Sequence, residues 1–452
     1  MNSSANTLSR ASDMGSEQDD IQHVIWERPE PTVALNPQTG FQLEDLMTAA
    51  GKVALQGARQ PLIFNKHMAS HGRKLVEILA NSADYTPHER DNRFQDTAWK
   101  ANGVYQRLLQ SYLATNESLE EWVNDLNLNS VDRLRAEFLL RIIGDSFAPT
   151  NTLLGNPKAL RKAWQTRGMS LLKGLRNLID DVRNNHGIPA QVKGEAFQVG
   201  ENLATTPGAV VFRNDVLELI QYTPTTGQVF RRPLLMVSAM INKFYAFDLT
   251  PDRSMIKFCL DHGMQVFVVS WANPGREQAD WGIEKYAMAV REAITAIKSI
   301  TRSKDLNLLA LCSGAMATSV MAAYLKAQGD HSIHSMTIGV CMLDMQQTDM
   351  EMSAFSTDEV RAKAKERSRK ASVLRGHELA LSMLWLRPND LIWSNVVNNY
   401  LLGNDPPEFD LLYWNNDWTN LPAQLHANVI DMFATGRLMQ PGEMNMAGTA
   451  LD

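Results

Sequence analysis

The stretch Leu306-Asn-Leu-Leu-Ala-Leu-Cys312-Ser-Gly-Ala-Met-Ala-Thr-Ser-Val320 limits most tightly what this chain can fold into. An apolar run of strand length ends at Leu311, and a helical pattern begins at once behind it. A strand that passes straight into a helix must reverse sharply, so its neighbours have to be small. Ala310, Gly314 and Ala315 meet that need, because backbones can then approach closely. The residue at such a turn is lifted above the sheet, and here it is Cys312. That arrangement is a nucleophile elbow.

The chemistry follows from the place. A helix N-terminus beneath the sulfur favours thiolate, and the Ser313 amide would face a developing oxyanion. The first glycine of the usual G-x-[S/C]-x-G pattern is replaced by Ala310, which adds only a methyl. The other cysteines, Cys259 and Cys341, lie in apolar periodic stretches and read as small core hydrophobes. Three widely spaced cysteines without a CxxC pair suggest neither a metal site nor a disulfide framework, and fit a reducing cytoplasm.

Around the elbow the pattern alternates. Strand-like runs at Gly208 to Arg213, Val216 to Tyr222, Pro233 to Val237, Met264 to Ser270 and Leu306 to Leu311 are expected. Helices at about 251–262 and 281–300 separate the later ones, which implies crossovers and a parallel sheet. Met336 to Leu343, apolar on both faces, reads as the next buried strand. Residues 349–420 interrupt the alternation and form an expected cap over the site. Upstream, helical periodicity runs from Phe41, then at about 66–81, 103–115, 131–147 and 158–185, with Ser130 as an N-cap. The expected domains are a mobile tail at 1–40, a helical N-terminal domain at 41–190 and an α/β domain at 191–452.

Composition excludes some functions. A net charge of -6 provides no basic field for nucleic acid. The basic stretch Arg361 to Arg369 alternates with acidic residues, as a solvated helix face does. No apolar run reaches the 18 or so residues of a bilayer span, and the polar N-terminus lacks a signal-peptide core.

Several ordered stretches carry a resemblance. They include Phe94-Gln-Asp-Thr-Ala-Trp99, Ala148-Pro-Thr-Asn-Thr152, Ile241-Asn-Lys-Phe-Tyr245, Val269-Ser-Trp271-x-Asn-Pro274, Leu386-Arg-Pro-Asn-Asp-Leu-Ile-Trp393 and Tyr413-Trp-Asn-Asn-Asp417. With the elbow, they resemble the polyhydroxyalkanoate synthases, most of all the class II, medium-chain group. The resemblance implies an α/β-hydrolase-like parallel sheet with a cap insertion, preceded by a helical N-terminal domain. It implies Cys312 as nucleophile, acylated by 3-hydroxyacyl-CoA and relieved by the hydroxyl of the next unit, with CoA release. Neither a cofactor nor a metal is implied. Ser313 would supply an oxyanion N–H, and Ile241, Asn242 and Trp393 are candidate substrate-binding residues. The cap aromatics, Trp393 among them, would either line an acyl channel or pack the cap. The implied setting is the cytoplasm at the surface of a polyhydroxyalkanoate granule, as a homodimer or paired with a full-length synthase.

The family's Asp and His lie beyond the cap, and the strands expected to carry them are missing here, so the chain is expected to be truncated. Asp417 and His426 fall in the cap-exit stretch and are not their counterparts. The family also has a Pro-Pro pair where this chain has Ser238-Ala-Met240. Three functions therefore stand: a synthase, an inactive shortened paralogue serving as a granule-associated or dimerisation partner, and a thioesterase or polymer hydrolase.

Overall fold

The computed structural model describes residues 43–89, 91–341, 343–344, 357–385 and 387–452, all within one compact unit. The expected tail at 1–40 and the start of the cap at 349–356 lie outside them. The helical part opens with α1 (Leu43–Arg59), α2 (Pro61–Leu79), α3 (Gly103–Asp125) and α4 (Ser130–Ser146). Polar pairs bind α2 to α3: His67 and Lys66 to Asp125, and Lys74 to Glu117 and Glu121. The N-cap of α4 is Asn129 rather than the expected Ser130, because Asn129 is extended and its side chain accepts from the Asp132 amide. The amphipathic stretch at 158–185 is two helices, α5 (Pro157–Gln165) and α6 (Met169–Asn184). Arg167 (φ 51°) and Gly168 (φ 86°) turn left-handed between them and break the helix.

The strands are β1 (Gly208–Arg213), β2 (Leu217–Tyr222), β3 (Leu234–Val237), β4 (Val266–Trp271), β5 (Leu306–Leu311) and β6 (Ile333–Gly339). They form one sheet in the order β1-β2-β4-β3-β5-β6. Helices α7 (Met255–Asp261), α8 (Ile283–Thr301) and α9 (Cys312–Ala327) connect β3 to β6, and those four strands run parallel. The sheet is nevertheless mixed rather than wholly parallel. β1 and β2 pair antiparallel, and β2 runs antiparallel to β4. A tight turn at Asn214, whose side chain accepts from the Val216 and Leu217 amides, can only reverse the chain, whereas a parallel neighbour needs a crossover. This sheet order with helical crossovers and an elbow after β5 is an α/β-hydrolase fold.

The core sits at the centre of the sheet. Leu235 to Val237 and Val266 to Val269 are fully buried, as expected of strands covered on both faces. The next strand differs from the sequence reading. β6 ends at Gly339 instead of spanning Met336 to Leu343, and His334 to Thr337 are exposed. Among the described residues β6 pairs only with β5, so it is an edge, and Val340 (φ 52°) leaves the strand conformation.

The described cap contains α10 (Asp358–Ala371), β7 (Val373–Leu374), α11 (Gly376–Leu384), π-helical turns at Asn389–Trp393 and Val396–Leu401, and α12 (Asp410–Asn416). β7 pairs with β8 (Leu421–Pro422), which leads into α13 (Ala423–Thr435). The basic residues of α10 are matched along the helix, with Arg369 on Glu366 and Lys363 on Glu359. Helix α6 clamps the cap. The Tyr400 hydroxyl donates to Asp181 at 2.8 Å, and Asn177 Nδ2 donates to the Asn399 and Asn404 carbonyls at 3.0 Å each. Among the described residues no helix is long and apolar enough to cross a membrane.

Candidate active site

Strand β5 delivers the chain to Cys312 in extended geometry, and helix α9 starts on that residue. Cys312 itself has φ 53°, in the left-handed region that a non-glycine side chain occupies only under strain. The strain is held by contact on the far side. Gly314 lies so close to β3 that a Cβ there would meet the Ser238 carbonyl oxygen at 2.0 Å. Ala315 is fully buried, as is Ala310 beneath the turn, where glycine's freedom is not needed. The small residues therefore serve the close approach that the sequence demanded.

The segment 238–242 wraps the elbow and is fixed from several sides. Trp271 Nε1 donates to the Ser238 carbonyl at 2.8 Å, and Ser238 Oγ donates to the Val269 carbonyl at 3.2 Å. The Met240 amide donates to Ser313 Oγ at 2.8 Å. Thr419 donates its amide to the Ile241 carbonyl and its hydroxyl to the Met240 carbonyl, at 2.9 and 2.6 Å. Asn242 forms an antiparallel bridge with Trp418. The cap exit is thus stitched to the loop above the nucleophile.

Burial pushes the Cys312 thiol up to about 11, while the neighbouring Ser313 amide and hydroxyl act in the opposite sense. Cys341 does not occupy the fully buried core position expected of it. It is only partly buried, and burial together with neighbouring Cys312 pushes its thiol up to about 12. It follows the left-handed turn at Val340 just after β6, the strand paired with β5. Cys259 is buried among Phe247, Ile256 and Leu260.

The other sequence candidates divide. Asn242 is 5% exposed, and its Nδ2 has no hydrogen-bond partner among the described residues. A buried donor left unpaired next to the elbow is suited to a ligand acceptor. Ile241, 2% exposed, packs inward. Trp393 sits in the first π-helical turn with its indole N–H unpaired, and no hydrogen bond joins it to the elbow among the described residues. His426 is buried with Nδ1 2.6 Å from Ser368 Oγ, and Asp417 accepts the Tyr245 hydroxyl at 2.8 Å. Among the described residues neither is shown hydrogen-bonded to Cys312. Among the described residues no three His, Cys, Asp or Glu side chains gather as metal ligands.

Sequence reasoning missed Trp271 and the Ser313 hydroxyl. The motif Val269-Ser-Trp271-x-Asn-Pro274 was visible as a family marker, but its task of holding the Ser238 carbonyl was not. Chemically, the arrangement can present a sulfur nucleophile, an adjacent amide and a buried carboxamide donor to an acyl carbonyl.

The chain is similar to known proteins over most of its length. Residues 90–259 match the family described as the N-terminus of poly-beta-hydroxybutyrate polymerase (PhaC). Poly(3-hydroxyalkanoate) polymerase 1 of Ectopseudomonas oleovorans is 45% identical over 94% of this chain and 75% of its own length. Polymerase 2 of the same organism is 41% identical over 93% and 76%. The poly(3-hydroxyalkanoate) polymerase subunit PhaC of Cupriavidus necator is 36% identical over 90% and 70%.

Proposed function

Because the chain belongs to the poly(3-hydroxyalkanoate) polymerase family, we propose that it is an acyltransferase that polymerises 3-hydroxyacyl units from their CoA thioesters on Cys312. The observation that carries the reading is Cys312 itself, left-handed at the junction of β5 and α9 with the Ser313 amide beside its sulfur. In the first step Cys312 loses its proton and its sulfur attacks the thioester carbonyl. The carbonyl oxygen gains charge opposite the Ser313 amide, and the carbon–sulfur bond to CoA breaks. CoA leaves as the thiol after taking up a proton. One thioester has replaced another, so this exchange is nearly neutral in free energy. In the second step the 3-hydroxyl of another unit attacks the acyl carbonyl. An ester bond forms, the bond to Cys312 breaks, and the hydroxyl proton returns to sulfur.

The unpaired Asn242 Nδ2 supports a place for that residue in substrate binding, and the medium-chain preference rests on the class II resemblance. We also propose that the protein works in the cytoplasm at a polyhydroxyalkanoate granule surface, as a homodimer or beside a full-length synthase. Met169, Leu172, Leu175 and Val182 recur at helical spacing along α6 and are exposed, which supports an apolar partner for that face.

A second reading has one observation in its favour. Among the described residues no carboxylate or imidazole hydrogen-bonds Cys312, which suits a non-catalytic partner of an active synthase. Incubation with a medium-chain 3-hydroxyacyl-CoA separates the readings. Polymer with CoA release is the expected outcome, and Cys312→Ala must abolish it. Free hydroxy acid would make the protein a hydrolase. Absence of CoA release would favour the partner role.

A further inference from the structure

Thr419 is buried at the cap exit and makes two bonds to the loop above the nucleophile. Its hydroxyl donates to the Met240 carbonyl at 2.6 Å, and its amide donates to the Ile241 carbonyl at 2.9 Å. Two consecutive peptide groups of the 238–242 loop are thereby fixed, since each is planar and turns as a whole. The peptide group before them is held elsewhere, where the Met240 amide donates to Ser313 Oγ at 2.8 Å. Thr419 is itself anchored on both sides. Trp418 bridges to Asn242, while Asn420 donates its amide to Asn273 Oδ1 at 2.9 Å and its side chain to the Pro274 carbonyl at 3.1 Å. Asn420 Oδ1 also accepts the Gly376 amide at the start of α11. Met240 is buried too, so its carbonyl would lose the Thr419 hydroxyl without water at hand to replace it.

We propose that Thr419 is a positioning residue for acyl transfer: from the cap exit it holds Met240, and through the Met240 amide it sets the place of Ser313, whose own amide faces the oxyanion. The proposal rests on Cys312 as the nucleophile and on the Ser313 amide as oxyanion donor. When sulfur attacks an acyl carbonyl, the carbonyl π pair moves onto oxygen, and that charge is stabilised only by a donor already in position. Ser313 lies in the first turn of α9, and its side chain is tied to the loop, so a shift of the loop is passed to that turn. Thr419 acts through Met240 and Ser313 and not on the reacting atoms. The same link joins the site to the cap, because 418–420 is where the chain leaves it.

Two reactions at Cys312 separate positioning from mere support of the fold. Acylation by p-nitrophenyl hexanoate forms a thioester, releases p-nitrophenolate and passes through an oxyanion. Labelling by iodoacetamide forms a carbon–sulfur bond, releases iodide and passes through none. Both are followed by mass spectrometry of the Cys312 peptide, in the full chain and at the same pH. Thr419→Val keeps the shape and removes the hydroxyl. It is expected to slow acylation about 30-fold, short of the roughly 100-fold that losing an oxyanion donor costs, and to change labelling less than about threefold. Thr419→Ser, which keeps a hydroxyl, should be acylated within about threefold of the wild-type rate. If Thr419→Val does not fold, Thr419→Ala against Thr419→Ser makes the same comparison. Equal losses in both reactions, undiminished acylation without the hydroxyl, or a Thr419→Ser as slow as Thr419→Val overturns the proposal. So does a wild type that is not acylated. Failure of the synthase reading shows separately: a wild type acylated by the ester that releases no CoA from a 3-hydroxyacyl-CoA loses the polymerase role and leaves this comparison standing.

Discussion

At the elbow, Gly314 brings α9 against the Ser238 carbonyl, where a Cβ would come within 2.0 Å of the oxygen. At the seam between α6 and the cap, Gly174 lies just as close to the Tyr400 carbonyl, with 1.9 Å for the same test. The two contacts use the same device in different surroundings. Around Gly314 the polar groups are buried and tie the 238–242 loop to the elbow, with the Met240 amide on Ser313 Oγ and Trp271 Nε1 on the Ser238 carbonyl. Around Gly174 they are ordinary pairs between two surfaces, such as Lys173 with Asp405 and Tyr400 with Asp181, and the lysine pair is solvent-exposed. A displacement at the elbow therefore misplaces a reacting atom. At the seam it only weakens the attachment of the cap.

Substitutions can break that comparison in order of expected effect. Cys312→Ala should lower CoA release at least about 1,000-fold, as removal of a covalent nucleophile does, while leaving the thermal midpoint near that of the parent. A marked fall in the midpoint would mean that the elbow and the seam are energetically one unit. Wild-type labelling of Cys312 tests the elbow without mutation. Its thiol is raised, so the thiolate fraction grows as pH rises, and the rate should climb about tenfold per pH unit from 7 towards 11. A plateau near pH 8.5 would show the sulfur to be exposed to water and the elbow open.

Gly314→Ala should reduce CoA release about 100-fold, since displacements of an ångström have that effect, and should destabilise the fold by about 2–3 kcal/mol in urea unfolding. Gly174→Ala should cost a similar amount of stability, about 2 kcal/mol, yet leave the Cys312 labelling profile in place. If Gly174→Ala shifts that profile, the seam governs the nucleophile and the distinction fails. Tyr400→Phe, which leaves Asp181 without one donor, should be milder at about 1–2 kcal/mol in the same titration.

Much of the fold was legible because burial on both faces leaves a continuous apolar signature. β3, β4 and β5 were read to within a residue or two, and so was the helix between β4 and β5. β6 was misread because its apolar composition suited a covered strand, while its exposure depends on which strands stand beside it. The antiparallel β1 and β2 were seen as strands but not as a reversed pair, since direction follows from the turn at Asn214 and the neighbour each strand finds. Asn129 displaced Ser130 as the cap of α4 by one residue, a choice made by backbone angle between two capable side chains.

Residue types and spacing along the chain determined that a strand would meet a helix at Cys312 and that small residues had to surround it. Those are local demands of sterics, and a linear pattern expresses them. Only the tertiary structure decided what the sulfur feels. Its high thiol, the nearness of Cys341 and the Met240–Ser313 bond arise from groups brought together from β3, β5 and the end of β6. Desolvation and hydrogen bonding depend on what fills the space around an atom, and that is set by packing between segments far apart in the chain.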